Sequence, residues 1–83
     1  MTVKKAKFIR ELLEDIDRDG FSSRQSYHYE LNDSGEIIKV DPFKRPCVKV
    51  YATKEEVDAE RYAMEMNRKA YEAHLAWLAQ KNG

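Results

Sequence analysis

The C-terminal third of the chain constrains the fold most, because residues from Thr53 to about Gln80 have the apolar pattern of one long helix. Thr53 and Glu56 have the spacing of a capping box, in which the Thr53 hydroxyl accepts from the Glu56 amide and the Glu56 carboxylate reaches back. A helix of about 28 residues is about 42 Å long, whereas a strand of about six residues spans about 20 Å. A small sheet therefore cannot cover this helix along its whole length.

Apolar side chains occupy two separate arcs of this helix when successive residues turn by about 100°. The first arc, about 100° wide, contains Tyr62, Ala73, Met66, Ala59, Trp77, Ala70 and Ala63. The second arc, about 60° wide, contains Leu78, Tyr71, Met64, Val57 and Leu75. Between the arcs lies a polar line of Glu60, Asn67 and His74, in which each residue is seven positions from the next.

Six residues of the first arc recur at alternating steps of four and three, and we call them the seam: Ala59, Ala63, Met66, Ala70, Ala73 and Trp77. This spacing is that of a coiled coil, and the alanines would let another helix approach closely. We expect the second arc to pack on the sheet and the end of the helix, from Ala70 to Leu78, to project into a partner. The open alternative is that the first helix and the sheet cover one arc each, leaving only a solvated end. The burial of Trp77 distinguishes the two, because burying an aromatic side chain is worth a few kcal/mol.

The other predicted elements are one amphipathic helix and three strands. They lie at Val3–Arg18, Ser26–Leu31, Glu36–Val40 and Cys47–Ala52. Gly20 can end the first helix in a left-handed conformation, and Asn32 to Gly35 supplies the residues of a short hairpin loop. The predicted fold class is α+β: a single small domain over residues 1–83, in the order α-β-β-β-α, with a three-stranded antiparallel sheet and both helices packed on one of its faces.

Composition excludes several classes of protein. With 42% hydrophobic and 36% charged residues, the chain of 83 residues has enough apolar side chains for a core. Cys47 is the single cysteine, which excludes an internal disulfide and the usual multi-cysteine zinc sites. His28, His74 and Cys47 fall on three different elements, so we expect no catalytic set, no metal site and no cofactor. No stretch approaches the length of a membrane span, and we expect a cytoplasmic, non-enzymatic protein.

The charges of the first helix oppose its macrodipole. Residues 1–10 carry four positive charges, and residues 11–20 carry five negative charges against Arg18. Each misplaced charge costs several tenths of a kcal/mol, so something external should offset them. We expect Lys44 and Arg45 to fold back on Asp15, Asp17 or Asp19. The alternatives are a basic patch on a partner protein and a calcium ion.

We consider calcium because the run from Asp15 to Gly20 resembles the opening of an EF-hand loop. It has oxygen ligands at alternate positions and a glycine for the sharp turn. The resemblance covers six residues. Ser26 stands at the twelfth loop position, where the family has a bidentate glutamate, and a strand follows instead of a helix. These departures argue against a calcium site.

Nucleic-acid binding is the alternative function. The predicted order of elements is similar to that of the double-stranded-RNA-binding domain, but Glu55, Glu56 and Asp58 stand where that domain has basic residues. The 15 basic and 15 acidic residues also cancel, whereas generic binders of phosphate are usually basic. What supports this alternative is an aromatic side chain flanked by basic residues: Phe43 with Lys39, Lys44, Arg45 and Lys49.

We therefore predict a small protein-protein interaction protein, of the regulator or inhibitor type that phages and mobile elements encode, which binds through its long C-terminal helix. Its partner is most simply a second copy of the chain, giving a homodimer. The acidic end of the first helix or the loop around Phe43 would form a second contact. The predicted partner-binding residues are Ala63, Met66, Ala70, Ala73, Trp77, Phe43, Lys44 and Arg45.

Overall fold

The computed structural model describes residues 2–43 and 47–82 of this small α+β domain. Its elements are α1 (Val3–Asp19), β1 (Ser22–Arg24), β2 (Tyr27–Leu31), β3 (Ile37–Val40), β4 (Val48–Ala52) and α2 (Lys54–Asn82). The four strands form one antiparallel sheet in the order β1-β2-β3-β4. The predicted α+β class and the long C-terminal helix are confirmed, and the predicted elements end within one or two residues of the observed ones. The predicted number of strands is wrong, since the sheet has four and not three.

The strand that the sequence analysis missed, β1, follows directly after α1. A turn at Gln25 and Ser26 joins it to β2, and both residues have positive φ angles, 55° and 68°. Two positive φ angles in a two-residue loop match the right-handed twist of a hairpin, but asparagine and glycine are the usual residues there. The turn therefore has no recognisable sequence signal, and for this reason the sequence predicts that Ser26 belongs to a strand.

The helix α1 is fixed at both ends and along one face. The Thr2 hydroxyl accepts from the Lys5 amide at 3.1 Å, and Gly20 adopts a φ of 88° while its amide donates to the Ile16 carbonyl at 2.7 Å. Both are standard ways of satisfying the free backbone groups at helix ends. The inner face of α1 contributes four residues to the core: Ile9, Leu12, Leu13 and Ile16.

The sheet presents one face to α1 and leaves the other uncovered by the described residues. Tyr29, Ile37 and Ala52 are buried on the inner face. An irregularity in the β3–β4 pairing at Ile37 and Ile38 adds one residue to β4, which brings the Tyr51 ring to 5.5 Å from that of Tyr29. Edge-to-face packing of these aromatic rings continues the core toward the N-terminal half of α1.

The helix α2 begins with the predicted capping box. The Glu56 amide donates to the Thr53 hydroxyl at 3.2 Å, and the Thr53 amide donates to the Glu56 carboxylate at 3.0 Å. Hydrogen bonding from that amide lowers the pKa of Glu56. With 29 residues, α2 is about 43 Å long, in a molecule whose extents are 59, 24 and 22 Å. Its C-terminal half therefore projects beyond the packed body.

Candidate interaction surfaces

The side of α2 that faces the body is defined by Val57, Glu60 and Met64. Val57 is 2% exposed and Glu60 is 8% exposed, while Met64 packs against the core cluster. The Glu60 carboxylate lies 3.7 Å from Nε of Arg10 on α1. The polar line therefore begins inside the α1–α2 contact, where the arginine supplies the opposite charge.

The second apolar arc follows the prediction only at its N-terminal end. Val57 and Met64 join the core, but Tyr71 and Leu75 are exposed, and Leu78 is partly exposed. The helical contact of α2 is with α1, whereas α1 also packs on β1 and β2. The expectation that the whole second arc packs on the sheet is wrong, because the sheet and α1 both end before the helix does.

The seam lies on the opposite side of α2. At about 100° per residue, its centre is turned by about 160° from Val57. Met66 is 45% exposed and Trp77 is 52% exposed, and Ala59, Ala70 and Ala73 are also exposed. Of the seam, Ala63 alone is partly buried. The seam is thus an accessible apolar stripe that faces away from α1 and the sheet.

Trp77 has its described ring contacts within α2. The His74 ring stacks on it with centroids 6.2 Å apart, and the Lys81 ammonium lies 4.8 Å from the centroid of the indole. These neighbours, three positions before and four after, hold the ring along the helix surface. Half of the tryptophan surface still faces solvent, which leaves apolar area for a partner to bury.

A second uncovered apolar surface lies on the outer face of the sheet, and the sequence analysis did not identify it. Val40 pairs with Val48 and Ile38 with Val50 across β3 and β4, and both Val48 and Val50 are exposed. At the edge of this patch the Phe21 ring stacks on the ring of His28, which lies 2.8 Å from the Glu30 carboxylate. The adjacent isoleucines of β3 were a signal for it, since neighbouring strand residues face opposite sides.

The carboxylates at the C-terminal end of α1 are neutralised from within the chain. Asp15 accepts from Nε of Arg24 at 2.8 Å and from the Ser22 hydroxyl at 2.6 Å. The hydrogen bond from Arg24, followed by that from Ser22, lowers the pKa of Asp15 from 3.8 to about 2. Arg61 on α2 donates two hydrogen bonds of 3.0 Å to the two oxygens of Asp17.

The expected internal pairing of these carboxylates is present, and the observed partners are arginines. Lys44 and Arg45 lie outside the described residues, and the cations that meet the acidic end of α1 are Arg18, Arg24 and Arg61. The run that resembles a calcium loop is part of a helix, on which Asp15 and Asp17 point in different directions. Among residues 2–43 and 47–82, no three His, Cys, Asp or Glu side chains form a group that could hold a metal ion.

A basic surface lies between the start of α1 and the sheet. Lys39 and Lys49 are direct cross-strand partners on the inner face, and the Lys39 ammonium lies 3.8 Å from the centroid of the Tyr27 ring. Lys39 also lines a groove with Lys4 and Lys7 of α1. Sequence reasoning singled out Lys39 and Lys49 but did not connect them to the lysines of the first helix.

The predicted second contact, Phe43, is 86% exposed. Its amide donates to the Asp41 carboxylate at 2.9 Å, which holds the start of the β3–β4 loop. Phe43 borders a shallow depression that also contains Tyr27. Tyr27 also borders the depression that contains Lys39 and Lys49, so Phe43 is separated from these lysines by the Tyr27 ring.

The remaining reactive side chains stay apart. His28 lies on the outer face of the sheet, His74 stacks on Trp77, and Cys47 is partly buried beside Tyr27 and Lys39. No helix in the described part of the chain is long and apolar enough to cross a membrane.

These features define the protein as a small α+β domain with a projecting C-terminal helix and several uncovered surfaces. Its comparison with protein-family models, with curated proteins and with solved structures gives no match.

Proposed function

We propose that this chain is a non-enzymatic interaction protein, of the regulator or inhibitor type, that binds a second copy of itself through the seam on α2. The observation that carries the proposal is the exposure of Met66 and Trp77 on a helix that continues well beyond the body. A helix packed on one side usually has a polar opposite side. Here the opposite side is apolar at regular four-three spacing, which is the pattern of a helix-helix contact.

The projecting half of α2 gains stability from such a contact. Isolated helices of this length are marginal in water, and helices in proteins are stabilised mainly by packing. From Met66 to Lys81 every residue except Leu78 is exposed. A second helix on the seam would bury the half-exposed tryptophan and methionine, each worth roughly 1 kcal/mol or more.

The order of large and small residues in the seam favours an antiparallel pair. If the helices run in opposite directions over their full length, Trp77 faces Ala59 of the second copy and Met66 faces Ala70. Ala63 then faces Ala73, so each layer contains at least one alanine and the helices can approach closely. A parallel pair would place Trp77 against Trp77 and Met66 against Met66, and it would leave thin alanine layers between these bulky ones.

Light scattering after size-exclusion chromatography tests self-association with a matched pair of variants. Ala73 and Ala79 are both exposed alanines in the projecting half of α2, but Ala79 points away from the seam by about 150°. At about 100 µM we expect the wild type and Ala79→Glu to have twice the 9.8 kDa mass of one chain. Ala73→Glu should have the monomer mass with unchanged helical content.

Two results would contradict the proposal. A monomer mass for the wild type at this concentration would show that the chain does not self-associate. If Ala79→Glu abolished the dimer and Ala73→Glu did not, the dimer contact would lie on the side of α2 that carries Tyr71, Leu75 and Leu78.

The orientation can be tested with cysteines in a Cys47→Ser background. A short thiol crosslinker should join copies that carry both Ala63→Cys and Ala73→Cys, because these positions face each other in the antiparallel pair. The single variant Ala63→Cys should remain uncrosslinked. Efficient crosslinking of the single variant would show a parallel pair instead.

A further inference from the structure

The arginines and the lysines of this neutral chain lie in different parts of its surface. Arginines meet the acidic half of α1: Arg24 pairs with Asp15 and Arg61 with Asp17. Four lysines near the N-terminal half of α1 form no ion pair with a carboxylate among the described residues: Lys4, Lys7, Lys39 and Lys49. This neutral chain therefore has a surface on which lysines outnumber carboxylates.

These lysines border two adjoining depressions, which share Lys39 and are together called the basic groove. Lys4, Lys7 and Lys39 line a groove of about 530 Å³ whose floor includes the rings of Phe8 and Tyr51. Lys39 also borders a smaller depression of about 150 Å³ that contains Lys49 and Tyr27. Lys5 lines the groove as well, and its ammonium lies 3.3 Å from Glu56.

The pairing of Lys39 with Lys49 is unfavourable in the isolated chain. Like charges directly opposite each other on adjacent strands repel, and the amides at the start of α1 add further positive potential to the groove. Two carboxylates also line these depressions. Glu11 pairs with Arg24 at 3.4 Å, whereas Asp41 accepts from the uncharged Phe43 amide and keeps its negative charge. An anionic ligand would relieve the repulsion.

We propose that this groove binds single-stranded nucleic acid, with backbone phosphates on Lys4, Lys7, Lys39 and Lys49 and a base on Phe43. Positive grooves that follow a phosphate backbone, combined with aromatic side chains on which bases stack, are the common design of single-strand binding. Phe43 is exposed and borders a depression with Tyr27, and Tyr27 in turn borders the depression that contains Lys39 and Lys49. An acidic peptide would satisfy the lysines but would leave the Phe43 ring without a stacking partner.

Fluorescence anisotropy of a labelled twelve-nucleotide oligo-dT tests the proposal. Four phosphate contacts on a single strand predict that log K falls with log salt concentration with a slope of about −3. The double variant Lys39→Ala/Lys49→Ala should bind roughly tenfold more weakly, with a slope closer to −1.5. The control Lys54→Ala/Lys69→Ala removes the same charge from α2, where both lysines pair with acidic residues, and should bind like the wild type.

If both double variants bound oligo-dT equally weakly, binding would depend only on net charge, and the groove would not be the binding site. The absence of salt-dependent oligo-dT binding by the wild type would overturn it as well.

Phe43→Ala separates nucleic acid from an acidic protein segment. Oligo-dT should bind this variant about five- to tenfold more weakly, because one stacked base is lost, whereas a twelve-residue polyglutamate should bind both proteins equally and more weakly than oligo-dT. Polyglutamate that binds the wild type as tightly as oligo-dT, with no effect of Phe43→Ala on either ligand, would assign the groove to acidic proteins and refute the proposal. Unchanged melting temperatures of all variants exclude misfolding as the cause.

Discussion

The two helices of this protein use their apolar residues in opposite ways. The shorter helix, α1, has 17 residues and buries Ile9, Leu12 and Leu13 completely. The longer helix, α2, has 29 residues, yet within its described part Val57 is the one apolar side chain that is buried. Length and apolar content therefore do not measure what a helix contributes to its own fold.

The difference teaches where to look for function. Two notable features of α1 have internal explanations: its apolar face forms the core, and Asp15 and Asp17 bind arginines from β1 and α2. The seam of α2 has no such explanation, because it faces away from the body. The seam is therefore where we expect a partner to bind.

Truncation of one leucine in each helix should give the largest contrast. Leu12→Ala removes a completely buried side chain and should lower the free energy of unfolding by about 2–5 kcal/mol. Leu75→Ala changes a half-exposed side chain beyond the body and should cost less than about 0.5 kcal/mol. Urea denaturation at low micromolar concentration measures both. Equal losses would mean that the end of α2 packs on the body in solution.

Acid should weaken the contact between α1 and β1 while leaving the seam unaffected. The pKa of Asp15 is lowered from 3.8 to about 2 by the hydrogen bonds from Arg24 and Ser22. A carboxylate with a lowered pKa contributes stability above pH 4, and this contribution is lost as the pH falls from about 4 to 2. The loss should be on the order of 1–2 kcal/mol, since solvent around the partly exposed Arg24 screens the pair.

The variant Asp15→Asn is the control for this pH dependence. It should be less stable than the wild type at pH 6, and the difference should shrink as the pH falls to 2. Thermal unfolding at several pH values measures the two curves. A constant difference across this range would show that another group is responsible.

The parts of the fold that were predicted depend on local signals. The Thr53–Glu56 capping box, the Gly20 cap and the periodicity of both helices are each contained within a few residues, and each is present. The partners of Asp15 and Asp17 were not predicted, because Arg24 and Arg61 reach them only after the chain has folded. The prediction that Lys44 and Arg45 pair with these carboxylates rested on charge alone.

The candidate surfaces show the same limit. Helical periodicity separated the two arcs and predicted that the second arc faces the sheet, but it could not show where along the helix the contact with the body ends. Periodicity also could not show that Glu60 of the polar line lies inside the helix contact, where it pairs with Arg10 of α1. The basic groove likewise combines lysines of α1 with lysines of β3 and β4, which are distant in sequence and close only in the folded sheet.

The smallest expected effect concerns the turn that the sequence analysis missed. Ser26 has a φ of 68°, which a residue with a Cβ adopts at a cost, whereas glycine adopts it freely. Ser26→Gly relieves this strain, but glycine also has more conformational entropy to lose on folding, so the free energy of unfolding should rise by about 0.5 kcal/mol or less. The mass in light scattering should not change, since this turn is far from the seam. A loss of stability on this substitution would show that the Ser26 side chain makes a contact that outweighs the backbone strain.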